Sequence, residues 1–172
     1  MIIWLTGLSG AGKTTIGQHI CDIWKVQAPN TVLVDGDAVR SLVRFNTSDD
    51  AYSIEGRHAA ASRYCDICDW LDDQDINAVC CTISFFEDLH ERNRRDLSRY
   101  FEVFINVPMD VLERRDPKKL YERARRGEVK NVVGVDLPLE VPKSPDMVLD
   151  NSVDGADLRQ IAQDILDRAL AS

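Results

Sequence analysis

The sequence predicts a three-layer α/β/α fold around a central parallel five-stranded sheet. Short apolar stretches alternate along the chain with segments whose apolar residues recur at helical spacing. These stretches are apolar almost throughout, which is typical of strands that are covered on both faces. Strands that alternate with helices in this way form a parallel sheet with helices on each side.

The first half of the chain contains three of the predicted strands. The first is buried and ends in a glycine, and the second is rich in β-branched residues. The helix between them places Ile16, Ile20 and Ile23 on one side. A polar segment, residues 46–53, is predicted to be a loop. The predicted strands cover residues 2–6, 31–34 and 78–83, and the predicted helices cover residues 14–25, 38–45 and 55–73.

The second half of the chain contains a charged helix and a proline-containing loop. The predicted strands cover residues 101–107 and 147–149, and the predicted helices cover residues 89–98, 110–126 and a C-terminal segment that starts near Leu158. The loop at residues 131–145 contains three prolines and one glycine. No repeat or linker divides the sequence, so we expect one domain over residues 1–172, with a lid and a substrate loop at about residues 110–146.

Length and composition fit a soluble globular protein. The 172 residues are 44% hydrophobic and 29% charged, which is ordinary for such proteins. No apolar run approaches the 18 or so residues that a membrane span requires. The first residues, MIIWLTG, carry no basic region and no cleavage-site pattern. We therefore expect no signal peptide, no membrane association and a cytoplasmic location.

The net charge of −8 argues against a protein that binds nucleic acid through bulk electrostatics. The charge is uneven, however, since residues 114–130 contain eight Lys and Arg against three Asp and Glu. A short basic segment in an acidic chain suits a small anionic ligand. The alternative is a solvated helix face with a lattice of ion pairs.

The five cysteines are predicted to be buried apolar side chains. Their odd number and the absence of an export signal argue against a disulfide framework. A zinc site is the alternative, but the adjacent Cys80 and Cys81 would point to opposite faces of a strand, which is poor geometry for joint ligation. The cysteines are Cys21, Cys65, Cys68, Cys80 and Cys81.

A glycine-rich motif between the first strand and the first helix predicts an ATP-binding P-loop. It matches the pattern G-x-x-x-x-G-K-[ST], whose backbone N–H groups and helix N-terminus bind phosphate. Lys13 would reach the β- and γ-phosphates, and the Thr14 hydroxyl would hold Mg²⁺. The alternative is a glycine-rich turn without function. The predicted ATP-binding residues are Gly7, Leu8, Ser9, Gly10, Ala11, Gly12, Lys13, Thr14 and Thr15.

The second strand ends in Asp35-Gly36-Asp37, at the edge of the sheet where ligands of open α/β folds bind. Two carboxylates there can order a metal ion or accept a proton from an attacking hydroxyl, and we predict that Asp35 joins Thr14 at the metal. The alternative is a turn with Asp37 as a helix N-cap, and both can hold together. The guanine-binding and γ-phosphate motifs of GTPases and the Asp-Glu strand end of motor ATPases are absent from the sequence.

The basic segment predicts a lid that stabilises charge. Phosphoryl transfer depends mainly on positioning and on charge stabilisation, so arginines that close over the phosphates would contribute to catalysis. We expect one or more of Arg115, Arg123 and Arg125 to do so, with Arg115 as the residue assigned to the cofactor.

Three segments give the chain a resemblance to the adenylylsulfate kinases, which phosphorylate the 3′-hydroxyl of adenylyl sulfate with Mg·ATP. They read WLTGLSGAGKTT, VDGDAVR and ERRDPKKLYERARRGEVKNVVGVDLPLEVP. The last is the most specific, because Arg-Asp-Pro-Lys, Leu-Tyr and Gly-Glu-x-Lys-Asn recur in that family's lid and substrate loop. The resemblance runs from Ile3 to about Asp150 and implies a P-loop kinase that uses ATP and Mg²⁺ and acts on a small nucleotide.

The resemblance also implies roles for single residues. Ser84 falls where the family has a serine described as a phosphorylated intermediate, although in-line transfer needs no such intermediate. The implied catalytic residues are Lys13, Asp35, Asp37 and Ser84. The implied substrate-binding residues are Asp37, Arg40, Tyr52, Arg57, Lys130 and Val132.

The departures from the family lie on the acceptor side. Val132 stands where the family has a phenylalanine that packs on the acceptor's adenine, and losing such a stack costs about 1–3 kcal/mol. Ala60 and Ser62 replace a family asparagine and arginine in the same pocket. In the absence of the phenylalanine, Tyr52 or Phe45 would have to supply the aromatic face. Two kinase functions therefore stay open, adenylylsulfate kinase and a sister kinase for another nucleotidyl acceptor such as cytidine diphosphoramidate. An ATP-binding regulatory protein is the third alternative, and the sequence leaves monomer and homodimer both open.

Overall fold

The protein folds around a five-stranded sheet whose strands all run parallel in the order β2-β3-β1-β4-β5. A computed structural model describes residues 1–43, 49–116 and 118–172. The predicted parallel sheet of five strands is confirmed, and each predicted strand lies within one or two residues of its observed position. The strands are β1 Ile2–Thr6, β2 Thr31–Asp35, β3 Asn77–Thr82, β4 Tyr100–Asn106 and β5 Met147–Asp150.

Helices cover both faces of the sheet and complete the three predicted layers. On β1, Ile3 and Leu5 face one apolar cluster, which includes the buried faces of the first and last helices. Ile2 and Trp4 face a second cluster, which includes the long third helix. Both faces of the central strand are thus buried, which explains why its sequence is continuously apolar. The helices are α1 Lys13–Gln27, α2 Gly36–Val43, α3 Ile54–Asp72, α4 Glu87–Asp96, α5 Met109–Arg115, α6 Leu120–Arg125 and α7 Leu158–Ala171.

The predicted helix over residues 110–126 is two helices, α5 and α6. Asp116 ends α5, and its carboxylate accepts the backbone N–H groups of three residues in the first turn of α6. Lys119 adopts a left-handed conformation with φ 51°. A proline follows Asp116 in the sequence, and a proline disfavours helical geometry at the preceding residue. The charge pattern alone predicts a single helix, because charged residues continue on both sides of this break.

All five cysteines are free thiols and all are buried, as predicted. Burial raises the pKa of Cys65 and of Cys81 to about 12, so both thiols are protonated at neutral pH and unreactive as nucleophiles. In the described part of the chain, no helix is long and apolar enough to cross a membrane.

Candidate active site

The phosphate loop joins β1 to α1 and has the conformation that its glycines were predicted to allow. Gly12 has φ 98°, and a Cβ atom there would lie 2.7 Å from the side-chain nitrogen of Asn151. Asn151 Nδ2 in turn donates to the carbonyl of Ala11 at 2.9 Å, from a buried position just after β5. Only glycine combines this backbone angle with so close an approach. The loop is therefore held in this conformation by a side chain 140 residues away in the chain.

Lys13 begins α1 and folds back over the phosphate loop. Its Nζ donates to the carbonyl of Leu8 at 2.8 Å. Burial lowers the pKa of Lys13 to about 8, against the opposing effect of the carboxylates of Asp35 and Asp37. A phosphate group would supply the negative charge that this ammonium lacks in the free protein.

Thr14 and Asp35 meet as the sequence predicts. The Thr14 hydroxyl donates to Asp35 Oδ2 at 2.7 Å, and Asp35 Oδ1 accepts the backbone N–H of Ala38 at 3.0 Å. Asp35, and not Asp37, therefore caps the start of α2, and the capping alternative for Asp37 is wrong. Asp37 instead lies inside the first turn of α2 with its carboxylate exposed.

Two oxygen-bearing side chains beside a phosphate loop fit Mg²⁺. This ion prefers hard oxygen ligands and is usually bound by one or two protein side chains together with waters and substrate phosphates. Among the described residues no cluster of three or more His, Cys, Asp or Glu side chains forms a complete metal cage. The Thr14 hydroxyl and the Asp35 carboxylate thus fit an ion that is shared with a nucleotide.

The three lid arginines named from the sequence pair with carboxylates of the lid itself or of the segment that follows β5. Arg115 donates to Asp154 and to the carbonyls of Asn151 and Ser152, in the segment that follows β5. Arg123 pairs with Glu128 and Arg125 pairs with Glu113. Lys118, which sequence reasoning passed over, extends to the predicted site instead, and its Nζ lies 2.7 Å from Asp37 Oδ2.

The acceptor side contains an aromatic ring between two arginines. The guanidinium carbons of Arg40 and Arg57 lie 5.0 Å and 5.4 Å from the ring centroid of Tyr52, which is half exposed. Arg57 also donates to the carbonyls of Tyr52 and Asn131, so it links α3 to the predicted substrate loop. Burial and the nearby Arg40 lower the pKa of Arg57. No carboxylate among the described side chains pairs with either guanidinium, which makes the pair a candidate anion site.

The substrate loop presents its two predicted residues differently. Lys130 is exposed, whereas Val132 is only 3% exposed and packs in the apolar core. The Asp136 carboxylate, which the sequence analysis did not single out, accepts the backbone N–H groups of Asn131 and Val132 and fixes this turn. Phe45 lies outside the described residues.

Ser84 lies just beyond β3 and is fully buried. Its hydroxyl is 3.5 Å from His90 Nε2, a long contact, and its carbonyl accepts the Thr6 hydroxyl at 2.6 Å. His90 Nδ1 lies 2.6 Å from Glu102 Oε1, and both side chains are buried. The serine hydroxyl therefore lies in the protein interior and not on the surface of the candidate site.

We expect Ser84→Ala to retain most of the wild-type kcat, because a fully buried hydroxyl cannot receive a phosphoryl group without a rearrangement of the loop after β3. The lost contact should lower stability by about 1 kcal/mol at most. Steady-state assays and intact-mass analysis after incubation with ATP test this, with the exposed Ser98→Ala as a matched control. A stoichiometric phosphoserine at position 84 that discharges to acceptor at the catalytic rate would contradict it.

Comparison with known proteins agrees with this geometry. The model of the adenylylsulphate kinase family matches residues 1–150. A cytidine diphosphoramidate kinase from Campylobacter jejuni is 39% identical over 151 residues, which cover 88% of this chain and 86% of that protein. An adenylyl-sulfate kinase from Clostridium kluyveri is 36% identical over 168 residues, which cover 97% of this chain and 82% of that protein.

A solved structure shares both the fold and the sequence pattern. The adenylylsulfate kinase of Mycobacterium tuberculosis, in complex with AMPPNP and adenylyl sulfate, superposes with a TM-score of 0.81 at 29% identity. The match covers 99% of this chain and 97% of that one.

Proposed function

The chain belongs to the adenylylsulfate kinase family, and we propose that it transfers the γ-phosphoryl group of ATP to the 3′-hydroxyl of a small nucleotidyl acceptor, with adenylyl sulfate as the first candidate. The observation that carries this proposal is the arrangement around Asp37. Asp37 is near enough to Lys13 of the phosphate loop and to Arg40, one turn further along α2, to feel both charges. Arg40 in turn shares the Tyr52 ring with Arg57 of α3. A donor phosphate and an anionic acceptor could thus meet at Asp37.

The donor side would bind ATP through the phosphate loop. Its backbone N–H groups and the Lys13 ammonium would hold the β- and γ-phosphates. Thr14 and Asp35 would hold Mg²⁺, which supplies positive charge against the phosphates when it is bound. Asn151 would hold the loop in place through its bond to the carbonyl of Ala11.

Asp37 would orient the attacking hydroxyl. The hydrogen bond from Lys118 holds the pKa of Asp37 below its usual range, so the carboxylate is ionised at neutral pH and can accept a hydrogen bond from the 3′-hydroxyl. A carboxylate is a weak base and accepts the proton late. This suits a loose transition state, in which the nucleophile bonds only weakly to phosphorus.

The acceptor side would recognise an anionic group and a base. Arg40 and Arg57 would bind the acidic group that is attached to the acceptor's 5′-phosphate, since guanidinium groups match such oxygens in geometry and charge. Tyr52, half exposed between them, could stack on the base. Lys130 would add charge from the substrate loop.

Cytidine diphosphoramidate is the second candidate acceptor, and two observations favour it. The C. jejuni relative that is named for this substrate is 39% identical to this chain. The position of the family's adenine-stacking phenylalanine is Val132, and that side chain is buried in the core. A smaller pyrimidine would depend less on a second aromatic face. A protein that binds ATP without transferring it differs from both candidates, because it would release no ADP in response to an acceptor.

One panel of assays tests the acceptor. Wild type and Val132→Phe are assayed for ADP release with adenylyl sulfate and with cytidine diphosphoramidate. We expect wild-type kcat/KM of about 10⁴ M⁻¹s⁻¹ or more for the true acceptor. If that acceptor is adenylyl sulfate, Val132→Phe should tighten its binding by up to about 1–3 kcal/mol.

A loss of turnover in Val132→Phe would instead favour the cytidine compound as the acceptor. If the acceptor is the cytidine compound, the added ring should crowd the site and lower turnover. Because Val132 is buried, the added ring can also strain the core by about 1–3 kcal/mol, so Tm is measured for both proteins. Acceptor-independent ADP release, or none with either compound, would refute the proposed function. The cytoplasmic location and the single-domain organisation expected from the sequence stay predictions.

A further inference from the structure

The hydroxyl of Tyr64 is bonded to the turn that carries the two candidate carboxylates. Tyr64 lies on α3 and is only 3% exposed. Its hydroxyl donates to the carbonyl of Gly36 at 2.9 Å, and this hydrogen bond is itself buried. Gly36 stands between Asp35 and Asp37, so the bond fixes the backbone from which both carboxylates extend.

The turn is closely packed around this bond. A Cβ atom on Gly36 would lie 3.2 Å from the carbonyl oxygen of Cys81, 3.4 Å from Thr82 Oγ1 and 3.5 Å from the Tyr64 ring. Cys81 and Thr82 end β3, so the turn is enclosed between a strand and α3. In a densely packed interior such a turn has little room to shift unless one of these neighbours moves with it.

Tyr64 also lies beside the candidate anion site. Burial raises the pKa of Tyr64, and the nearby Arg40 guanidinium opposes this rise. The other candidate acceptor arginine, Arg57, precedes Tyr64 by seven residues on α3, which places the two side chains on one face of that helix, two turns apart. The Tyr64 hydroxyl is thus bonded to the turn of Asp37 and is adjacent to Arg40.

We propose that Tyr64 is a positioning residue, whose hydroxyl fixes the Asp37 carboxylate relative to Arg40 and so aligns the acceptor with the donor phosphate. This inference rests on the proposed phosphoryl transfer. Because Tyr64 is buried, it acts through Asp37 and Arg40 and not by contact with a substrate. A misplacement of reacting groups by about 1 Å can lower a rate by about 10²-fold, so one hydrogen bond behind the site can decide turnover.

A core tyrosine without a role in function is the competing explanation. A buried tyrosine hydroxyl usually has a hydrogen-bond partner, and the Tyr64 ring packs in the second apolar cluster as a phenylalanine would. In that case removal of the hydroxyl should lower Tm and leave the kinetic constants of the folded protein unchanged. If the hydroxyl positions Asp37, its removal should change the kinetic constants of a protein that is still folded.

Tyr64→Phe removes the hydroxyl and keeps the ring. With the acceptor that wild type uses best, we expect kcat to fall by about tenfold to 10²-fold. KM for the acceptor should rise, because Asp37 and Arg40 lose their common support. KM for ATP and the Mg²⁺ concentration for half-maximal activity should change far less, because Asp35 keeps its bond to Thr14.

Tyr100→Phe is the matched control and should have wild-type kinetic constants. The Tyr100 ring packs against the same apolar cluster, and its hydroxyl is also buried. Titration with Mg·AMPPNP counts the binding-competent sites in each variant, and thermal unfolding gives Tm. A loss of kcat at full site occupancy is then distinct from a loss of folded protein.

A double-mutant cycle shows whether Tyr64 acts through Asp37. In the Asp37→Asn protein the carboxylate that the hydroxyl positions is already absent, so Tyr64→Phe should lower kcat by no more than about twofold further, whereas independent effects would multiply. A kcat of Tyr64→Phe equal to that of wild type would overturn the proposal. So would effects of Tyr64→Phe and Asp37→Asn that multiply.

Hydrogen exchange tests the same bond without any acceptor. Tyr64→Phe should speed exchange of the backbone N–H groups of residues 37–42 by about fivefold, the effect of one lost hydrogen bond on local opening, and Tyr100→Phe should leave them as in wild type. Equal exchange in Tyr64→Phe and wild type would overturn the proposal, because the hydroxyl would then not hold the turn. A wild type that releases no ADP with either acceptor, while Tyr64→Phe still exchanges faster, would refute the proposed function and keep the hold of Tyr64 on the turn.

Discussion

Lys13→Ala is expected to lower kcat for acceptor-dependent ADP release by about 10³-fold or more. Lys13 is the ammonium of the phosphate loop, and among the described residues its Nζ donates to the carbonyl of Leu8 within the loop and to no group across the core. The Lys13 ammonium is thus available to bind the phosphates. Steady-state kinetics with either candidate acceptor measure the loss.

The same substitution should leave the fold intact or slightly more stable. Because burial lowers the pKa of Lys13 to about 8 from 10.5, the unfolded chain binds a proton that the folded protein releases between these two values. The free energy of unfolding that is due to Lys13 therefore rises as pH increases from about 8 to 10.5, and below pH 8 the charged lysine is a net cost. Removing the side chain removes that cost.

Circular dichroism and thermal unfolding at pH 7 give the control for folding. Lys25→Ala, at the exposed end of the same helix, is the matched control for activity and should resemble wild type. A Lys13→Ala protein that keeps most of its kcat while folded would refute the kinase assignment. In wild type, kcat/KM for ATP should fall above about pH 8 as free Lys13 loses its proton.

The sheet could be predicted because its signals are local. The apolar run of β1, the glycine-rich turn after it and the helical spacing of Ile16 and Ile20 all lie within a few residues of one another. Burial on both faces removes the polar alternation that half-exposed strands show, so each strand was recognised by its uniformity. The helix break at Asp116 was not predicted, because the charged residues on either side of it follow one pattern.

The geometry of the candidate donor site was predictable for the same reason. The phosphate loop and the Asp35-Gly36-Asp37 turn are contiguous motifs, and the parallel sheet brings their carboxyl ends together. The contact between Thr14 and Asp35 follows from that arrangement.

The contacts that could not be predicted join distant parts of the chain. Asn151 supports the phosphate loop from the far end of the sequence, and Lys118 reaches Asp37 across 81 residues. A single lysine in a basic segment carries no signal that distinguishes it from its neighbours. The charge count therefore identified the segment but favoured its arginines. The burial of Val132 was likewise invisible, since a valine in a loop is compatible with either environment.

The carboxylates give the second large effect. Replacing Asp35 or Asp37 by Asn should lower kcat by about 10²- to 10⁴-fold, the range for loss of a positioned acid–base group, and should raise KM for ATP far less. An amide of the same shape keeps the Asp35 bond to Ala38 N–H, so the start of α2 should survive. What it loses is the negative charge that Mg²⁺ and the attacking hydroxyl require.

The two variants should differ in their dependence on Mg²⁺. Asp35→Asn should need a higher Mg²⁺ concentration for half-maximal activity, because Asp35 is bonded to Thr14 at the proposed metal position. Asp37→Asn should keep the wild-type Mg²⁺ dependence and lose turnover alone, since its carboxylate contacts Lys118 and not Thr14. Asp73→Asn, exposed at the end of α3, is the matched control. The lowered pKa of Asp37 also means that wild-type turnover should not decline through protonation of this group until the pH falls below the usual aspartate range. If both variants show only a raised KM for ATP, the two carboxylates serve binding and helix formation, and the proposed route of the hydroxyl proton is wrong.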